Sequence, residues 1–231
     1  MDVLYFLRDR LRFIGSFYTD AITPFEKIKK AIEAGEEPYI DNFDPESDYP
    51  EPPFLNEWQY ADDCIVNLGR YSVMMLCSAL KGYLEEFVKD IASFYGYPFP
   101  ELSSCEAALK EHQKKNKGWL RGYQSFFLAV YKIDWNLGPK VIDSLEHLVL
   151  TRNDLEHNTD LISRHVSQTP YHHRKQANGI FADREMHFWD DEATLVVTQE
   201  RLTTAIKSVE DFCEWLDSIR ENHVQFKKIL S

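Results

Sequence analysis

The sequence predicts an all-α fold: an antiparallel helical bundle with an N-terminal helical extension and at most a small β-hairpin insertion. Three observations lead there. Apolar residues recur at helical intervals over most of the chain. One such run, Glu57 to about Tyr95, is far longer than any ordinary strand. Proline and glycine gather at the few places where the period breaks.

Val3 to Phe17 and Pro24 to Ala34 read as two short amphipathic helices, the second opened by Thr23-Pro24 and closed by Gly35. Glu36 to Phe54 then holds Pro38, Pro45, Pro50, Pro52 and Pro53 among acids and reads as an extended loop laid over the body. In the long run, Ala61, Ile65, Leu68, Met75, Ala79, Tyr83, Phe87 and Ile91 define one face, with Gly69 and Gly82 as irregularities. At 1.5 Å per residue such a helix spans roughly 58 Å, which suits the spine of an antiparallel pair. Gly96-Tyr97-Pro98 ends it, and Ser103-Ser104-x-Glu106 opens another helix. The basic segment Lys114 to Lys117 separates that helix from an aromatic run, Trp119 to Tyr131. After Gly138-Pro139 a further helix shows Val141, Leu145, Leu148 and Leu155 on its apolar face. Short β-like pieces follow around Ile180-Phe181, His187 to Trp189 and Thr194 to Val197. A last helix runs from Glu200 to about His223, with Leu202, Ile206, Val209, Phe212, Leu216 and Ile219 along one side.

Composition bounds the function. The 231 residues suit one large domain with a full core. No stretch approaches the roughly 18 consecutive apolar residues that span a bilayer, and the charged N-terminal run is no export signal, so a soluble cytoplasmic protein without membrane contact is expected. Cys64, Cys77, Cys105 and Cys213 stand far apart among apolar neighbours and read as reduced core thiols. The net charge of -12 disfavours a nucleic-acid partner, but residues 36–63 hold ten acids and no Lys or Arg, leaving only -2 for the rest. Within that rest, Lys110 to Arg121 holds five basic residues against Glu111, and Arg164 to Lys175 has bases and histidines without an acid. There is no internal repeat, no G-x-S-x-G, no phosphate-binding glycine loop and no dinucleotide fingerprint.

One constellation has a chemical reading. The stripe Val141, Leu145, Leu148, Leu155 leaves a gap at position 152, and Arg152 fills it. A guanidinium there needs either a partner, for which Glu156 at i+4 suffices, or an anion in a cleft. His157 lies about 140° around an ideal helix from Arg152, while Asn153 lies about 40° from His157. Histidine gives and takes protons near neutral pH, as cleavage of RNA by its own 2′-hydroxyl requires, and that chemistry needs no metal. Two chains meeting along this helix would assemble Arg and His at one phosphate.

In Thr151-Arg152-Asn153-Asp154-Leu155-Glu156-His157-Asn158 the sequence resembles the HEPN superfamily, whose ribonuclease members carry Arg, a polar residue, a short spacer and His at the end of a core helix. The resemblance covers about Glu57 to His223. It implies residues 57–231 as a HEPN-like helical domain, with 1–56, the N-terminal helices and acidic Pro-rich loop, packed on it. It also implies a homodimer without cofactor, in which Arg152 holds the scissile phosphate, Asn153 orients it and His157 moves the proton. Many relatives are toxins or phage-defence effectors restrained by an inhibitory protein partner. Relatives silenced by nucleotide transfer carry Tyr two residues after the motif His, where this chain has Thr159. His165, His172, His173, Arg174 and Lys175 would flank the RNA, on charge and proximity alone.

Three other readings use the same residues. Arg152 salt-bridged to Glu156 with a surface His157 is a purely structural arrangement. A non-catalytic HEPN module would recognise RNA, a nucleotide or a protein through the long helix and the aromatic run. A metal hydrolase built on His157, His165, His172 and His173 with Asp154 or Asp160 ranks lowest, because no fixed ligand spacing such as H-E-x-x-H is present.

Overall fold

The computed structural model describes residues 2–40, 53–95, 102–116, 118–157, 184–185, 194–195 and 197–230. Six α-helices stand among them: α1 (Val3–Ala34), α2 (Leu55–Tyr95), α3 (Leu102–Lys115), α4 (Trp119–Phe126), α5 (Ile142–His157) and α6 (Gln199–Leu230). Two-residue strands β1 (Arg184–Glu185) and β2 (Thr194–Leu195) pair antiparallel, with Arg184 opposite Leu195. The expected β-like pieces around Ile180-Phe181 and His187 to Trp189, and residues 41–52 of the acidic loop, lie outside the described residues.

The N-terminal region is one helix where two were expected. Asp2 caps its start, accepting the Tyr5 N–H at 2.9 Å. At its end Gly35 takes a left-handed φ of 62°, its N–H bonding the Ile32 carbonyl while Glu36 N–H bonds that of Ala31. Pro24 lies inside the helix, at a cost of about 3 kcal/mol. The stripe Val3, Leu4, Leu7, Leu11, Ile14, Tyr18 and Ile22 is buried, and at about 1.5 to 3 kcal/mol per large side chain its burial outweighs that cost. The proline signal was real, but packing overrides it.

α1 runs antiparallel to α2: Leu7 lies beside Gly82 at one end of the pair, and Lys29 pairs with Asp62 at the other. It also runs antiparallel to α6, where Arg8 pairs with Glu214 and the Tyr18 hydroxyl donates to the Val197 carbonyl at 2.6 Å. α2 and α6 are therefore parallel, joined by the Tyr83 hydroxyl on the Cys213 carbonyl at 2.9 Å and by Arg220 on Asp90 at 2.6 Å. Gly69 is not an irregularity in α2 but a crossing point, since a Cβ there would stand 2.8 Å from Val197 Cβ.

The aromatic run packs inward. Leu120, Tyr123 and Phe126 of α4 and Phe127 and Tyr131 of the π turn that follows are buried. Phe127 stacks on Phe87 of α2 and meets Trp135 edge-on, and Trp135 meets Phe212 of α6 at 4.7 Å. These rings are core, so they are not available as the recognition surface of a binding module. α3 packs against α4, with His112 Nδ1 and Ser125 Oγ 2.8 Å apart. Cys77, Cys105 and Cys213 are buried and outside any disulfide, as expected, whereas Cys64 is only half-buried. Among the described residues no helix is long and apolar enough to cross a membrane.

Candidate functional site at the end of α5

α5 is held from three sides. Leu145 and Leu148 enter the common core, the helix packs on α2 and α6, and Glu146 pairs with Arg121 of α4. Its last turns have a different inner face from the one the apolar count indicated. Thr151 and Asp154 are buried, while Leu155 is only partly so. Two polar residues thus take inward positions that a hydrophobic stripe cannot register, and Arg152 stands at the margin of the packed face, not in a gap within it.

The guanidinium of Arg152 is one-third exposed and ion-paired with Glu156 through Nη2. Its Nη1 donates to Asn153 Oδ1 at 3.2 Å. The second Glu156 oxygen stands 3.8 Å from His157 Nε2, and the His157 side chain is 73% exposed. Arg152, Asn153, Glu156 and His157 therefore form one chain of polar contacts on the outer side of the last turn. Sequence reading found the Arg152–Glu156 pair and missed that the same carboxylate reaches His157. The signal was there: positions 152 and 156 share a strip, and 157 follows at once.

Behind the cluster lies Cys77 of α2. Burial pushes its thiol up to about 12, Arg152 pulls it down, and Glu156 pushes it up. The motif charges thus act on the middle of α2, and the thiol stays protonated at neutral pH and offers no nucleophile.

Asn158, Thr159, Asp160 and the expected flanking residues His165, His172, His173, Arg174 and Lys175 lie outside the described residues. In the basic segment, Lys110, Lys114 and Lys115 are exposed on α3, while Arg121 is taken up by Glu146. Among the described residues no group of three or more His, Cys, Asp or Glu could hold a metal ion. No protein-family model, curated protein or solved structure matches the chain.

The arrangement offers a planar cation able to fork onto a phosphate, an amide beside it and a solvent-accessible imidazole within two turns of a rigidly held helix. The Glu156 pair is no barrier to an anion. An i,i+4 pair at a partly solvated site is worth about 0.3 to 0.5 kcal/mol, less than a bidentate phosphate contact supplies.

Proposed function

We propose that the chain is a metal-independent endoribonuclease of HEPN type, acting in the cytoplasm as a homodimer. The observation that carries this reading is the contact chain Arg152–Asn153–Glu156–His157 on the outer side of the last turn of α5. The substrate 2′-oxygen forms a bond to phosphorus as the bond to the 5′-oxygen breaks, leaving a cyclic phosphate and a 5′-hydroxyl. Arg152 binds the non-bridging oxygens, Asn153 orients the group, and His157 takes the proton of the attacking 2′-hydroxyl and gives it to the departing 5′-oxygen. Arg152 and His157 sit on different strips of α5, so a second copy completes the cleft by offering its own His157 to a phosphate held by Arg152. His165, His172, His173, Arg174 and Lys175 extend the contact along the RNA. An enzyme of this kind serves as a toxin or phage-defence effector and is restrained by an inhibitory protein.

The test is incubation of the purified protein and its His157→Ala variant with total RNA in excess EDTA. Cutting by the parent alone supports the reading, and equal cutting removes His157 from it. Absence of cutting by either supports the alternative, a non-catalytic HEPN module that binds RNA, a nucleotide or a protein.

A further inference from the structure

Large apolar side chains lie exposed on the N-terminal half of α1: Tyr5 at 62%, Phe6 at 56% and Phe13 at 50%. Phe6 and Phe13 are seven residues apart, so they project from one side of the helix, a second stripe beside the buried one. Next to it α1 and α2 enclose an apolar cleft of about 250 Å³, floored by Leu7, Ala79 and Gly82 and edged by Phe6. A Cβ at Gly82 would meet nothing within 4 Å, so the cleft is open over the α2 backbone. Protruding rings beside an open notch form a patch with both a knob and a hole.

The charges on the rim are ordered. Arg10, which stacks over Phe13 at 5.3 Å, marks one end of the cleft, and Glu86 marks the other. A patch with a cation at one end and an anion at the other is complementary to itself when turned end for end. That is the requirement of a twofold, isologous interface. Among the described residues Glu86 pairs with the exposed Lys89 three residues on, a contact of small worth that leaves it able to change partners.

We propose that a second copy of this chain docks in the α1–α2 cleft, the two helix pairs lying antiparallel as a four-helix layer. Phe6 of each copy enters the notch over Gly82 of the other, and Arg10 of each pairs with Glu86 of the other at both ends. This contact rests on the α1–α2 surface alone and is separate from the meeting of two copies along α5 in the proposed ribonuclease reading. The motif turn of α5 stands beside the same turns of α2, since Arg152, Glu156 and Lys81 all act on Cys77. On a regular helix Cys77 lies about 140° around α2 from Gly82, so the cleft and the motif occupy different flanks of that helix.

Sedimentation velocity over a concentration series tests association without reference to RNA cleavage, so each reading can fail alone. The parent is expected to be a dimer. Gly82→Leu, whose side chain enters open space and whose helix propensity is higher, should keep the parent's helical spectrum and melting temperature while raising the dissociation constant at least tenfold. Arg10→Glu and Glu86→Arg should each weaken the dimer, and the two together should restore it. A monomeric parent, which would leave the cleft to a different partner, overturns the proposal. So does a dimer indifferent to Gly82→Leu, or a charge-swapped double variant no tighter than either single one.

Discussion

Arg152 and Glu156 are ion-paired across one turn of α5, and the second oxygen of that carboxylate stands 3.8 Å from His157 Nε2. One anion therefore rests where the proposed mechanism places a phosphate. Glu156→Gln keeps the shape and removes the charge. RNA affinity should rise about fivefold at low salt, the effect of one charge a few Å away in a solvated setting, and the gain should shrink as salt is added. Stability should move by less than about 0.5 kcal/mol, since the pair is an i,i+4 contact at a partly exposed site. A fluorescence-anisotropy titration reads the first and urea unfolding the second; unchanged affinity would remove Arg152 as the phosphate contact.

The crossing of α2 by Val197 gives a packing prediction. An Ala at Gly69 would place its Cβ 2.8 Å from Val197 Cβ and 3.1 Å from its carbonyl oxygen, and that same carbonyl accepts from Tyr18. Gly69→Ala should destabilise by about 2 kcal/mol through overpacking, although Ala is the better helix former. Tyr18→Phe should cost about 1 to 2 kcal/mol by leaving a buried acceptor unpaired. Because both act on Val197, the double variant should lose less than the sum in urea unfolding.

Arg220 divides itself between Asp90 and Asp217, and the two acids should respond differently. Burial pushes the Asp217 carboxyl above its ordinary value of 3.8, which the Arg220 charge offsets only in part. Burial alone would lower Arg220, but the Asp90 hydrogen bond and the Asp217 charge more than reverse it. Asp90→Asn should therefore cost about 2 kcal/mol at neutral pH, and Asp217→Asn less than about 1 kcal/mol. The fold favours the protonated form of Asp217, so its titration contributes stability that is fully present below 3.8 and is lost as pH rises through the raised folded value. Asp217→Asn should remove that decline, read from unfolding midpoints across pH. A slope unchanged from the parent would mean that Asp217 does not titrate in the window.

The thiols should react in a fixed order. Cys64 is half-buried and should be alkylated first. Cys77, pushed up to about 12, and the fully enclosed Cys213, which burial pushes well above the ordinary thiol range, should be labelled only on unfolding. Peptide mapping after timed iodoacetamide exposure checks this. Rapid labelling of Cys77 in the native protein would mean that α5 opens from α2.

The long spine was legible because Ala61 through Ile91 keep a helical period for more than eight turns, and no local signal contradicts it. The N-terminal region misled because Thr23-Pro24 is a sound start signal whose cost tertiary burial outweighs. At the site the sequence put Arg152, Asn153 and His157 at the end of one helix, where Arg152 meets Asn153 and Glu156 links Arg152 to His157. It mistook the facing, because the inward positions go to Thr151 and Asp154, polar residues that hydrophobic periodicity does not count. The aromatic run showed its hydrophobicity but not its destination: whether rings face a core or a partner depends on what packs against them, here Phe87 and Phe212, distant in sequence.

The core is closed by partners from opposite ends of the chain, Arg8 meeting Glu214 across 206 positions. During synthesis the α1–α2 hairpin can form early, but the side of α1 that α6 covers has nothing to lie against until the residues of α6 have been made. The last step of folding is thus the docking of α6 into a waiting groove, a non-local event that closes slowly and leaves apolar surface open to chaperones in the interval.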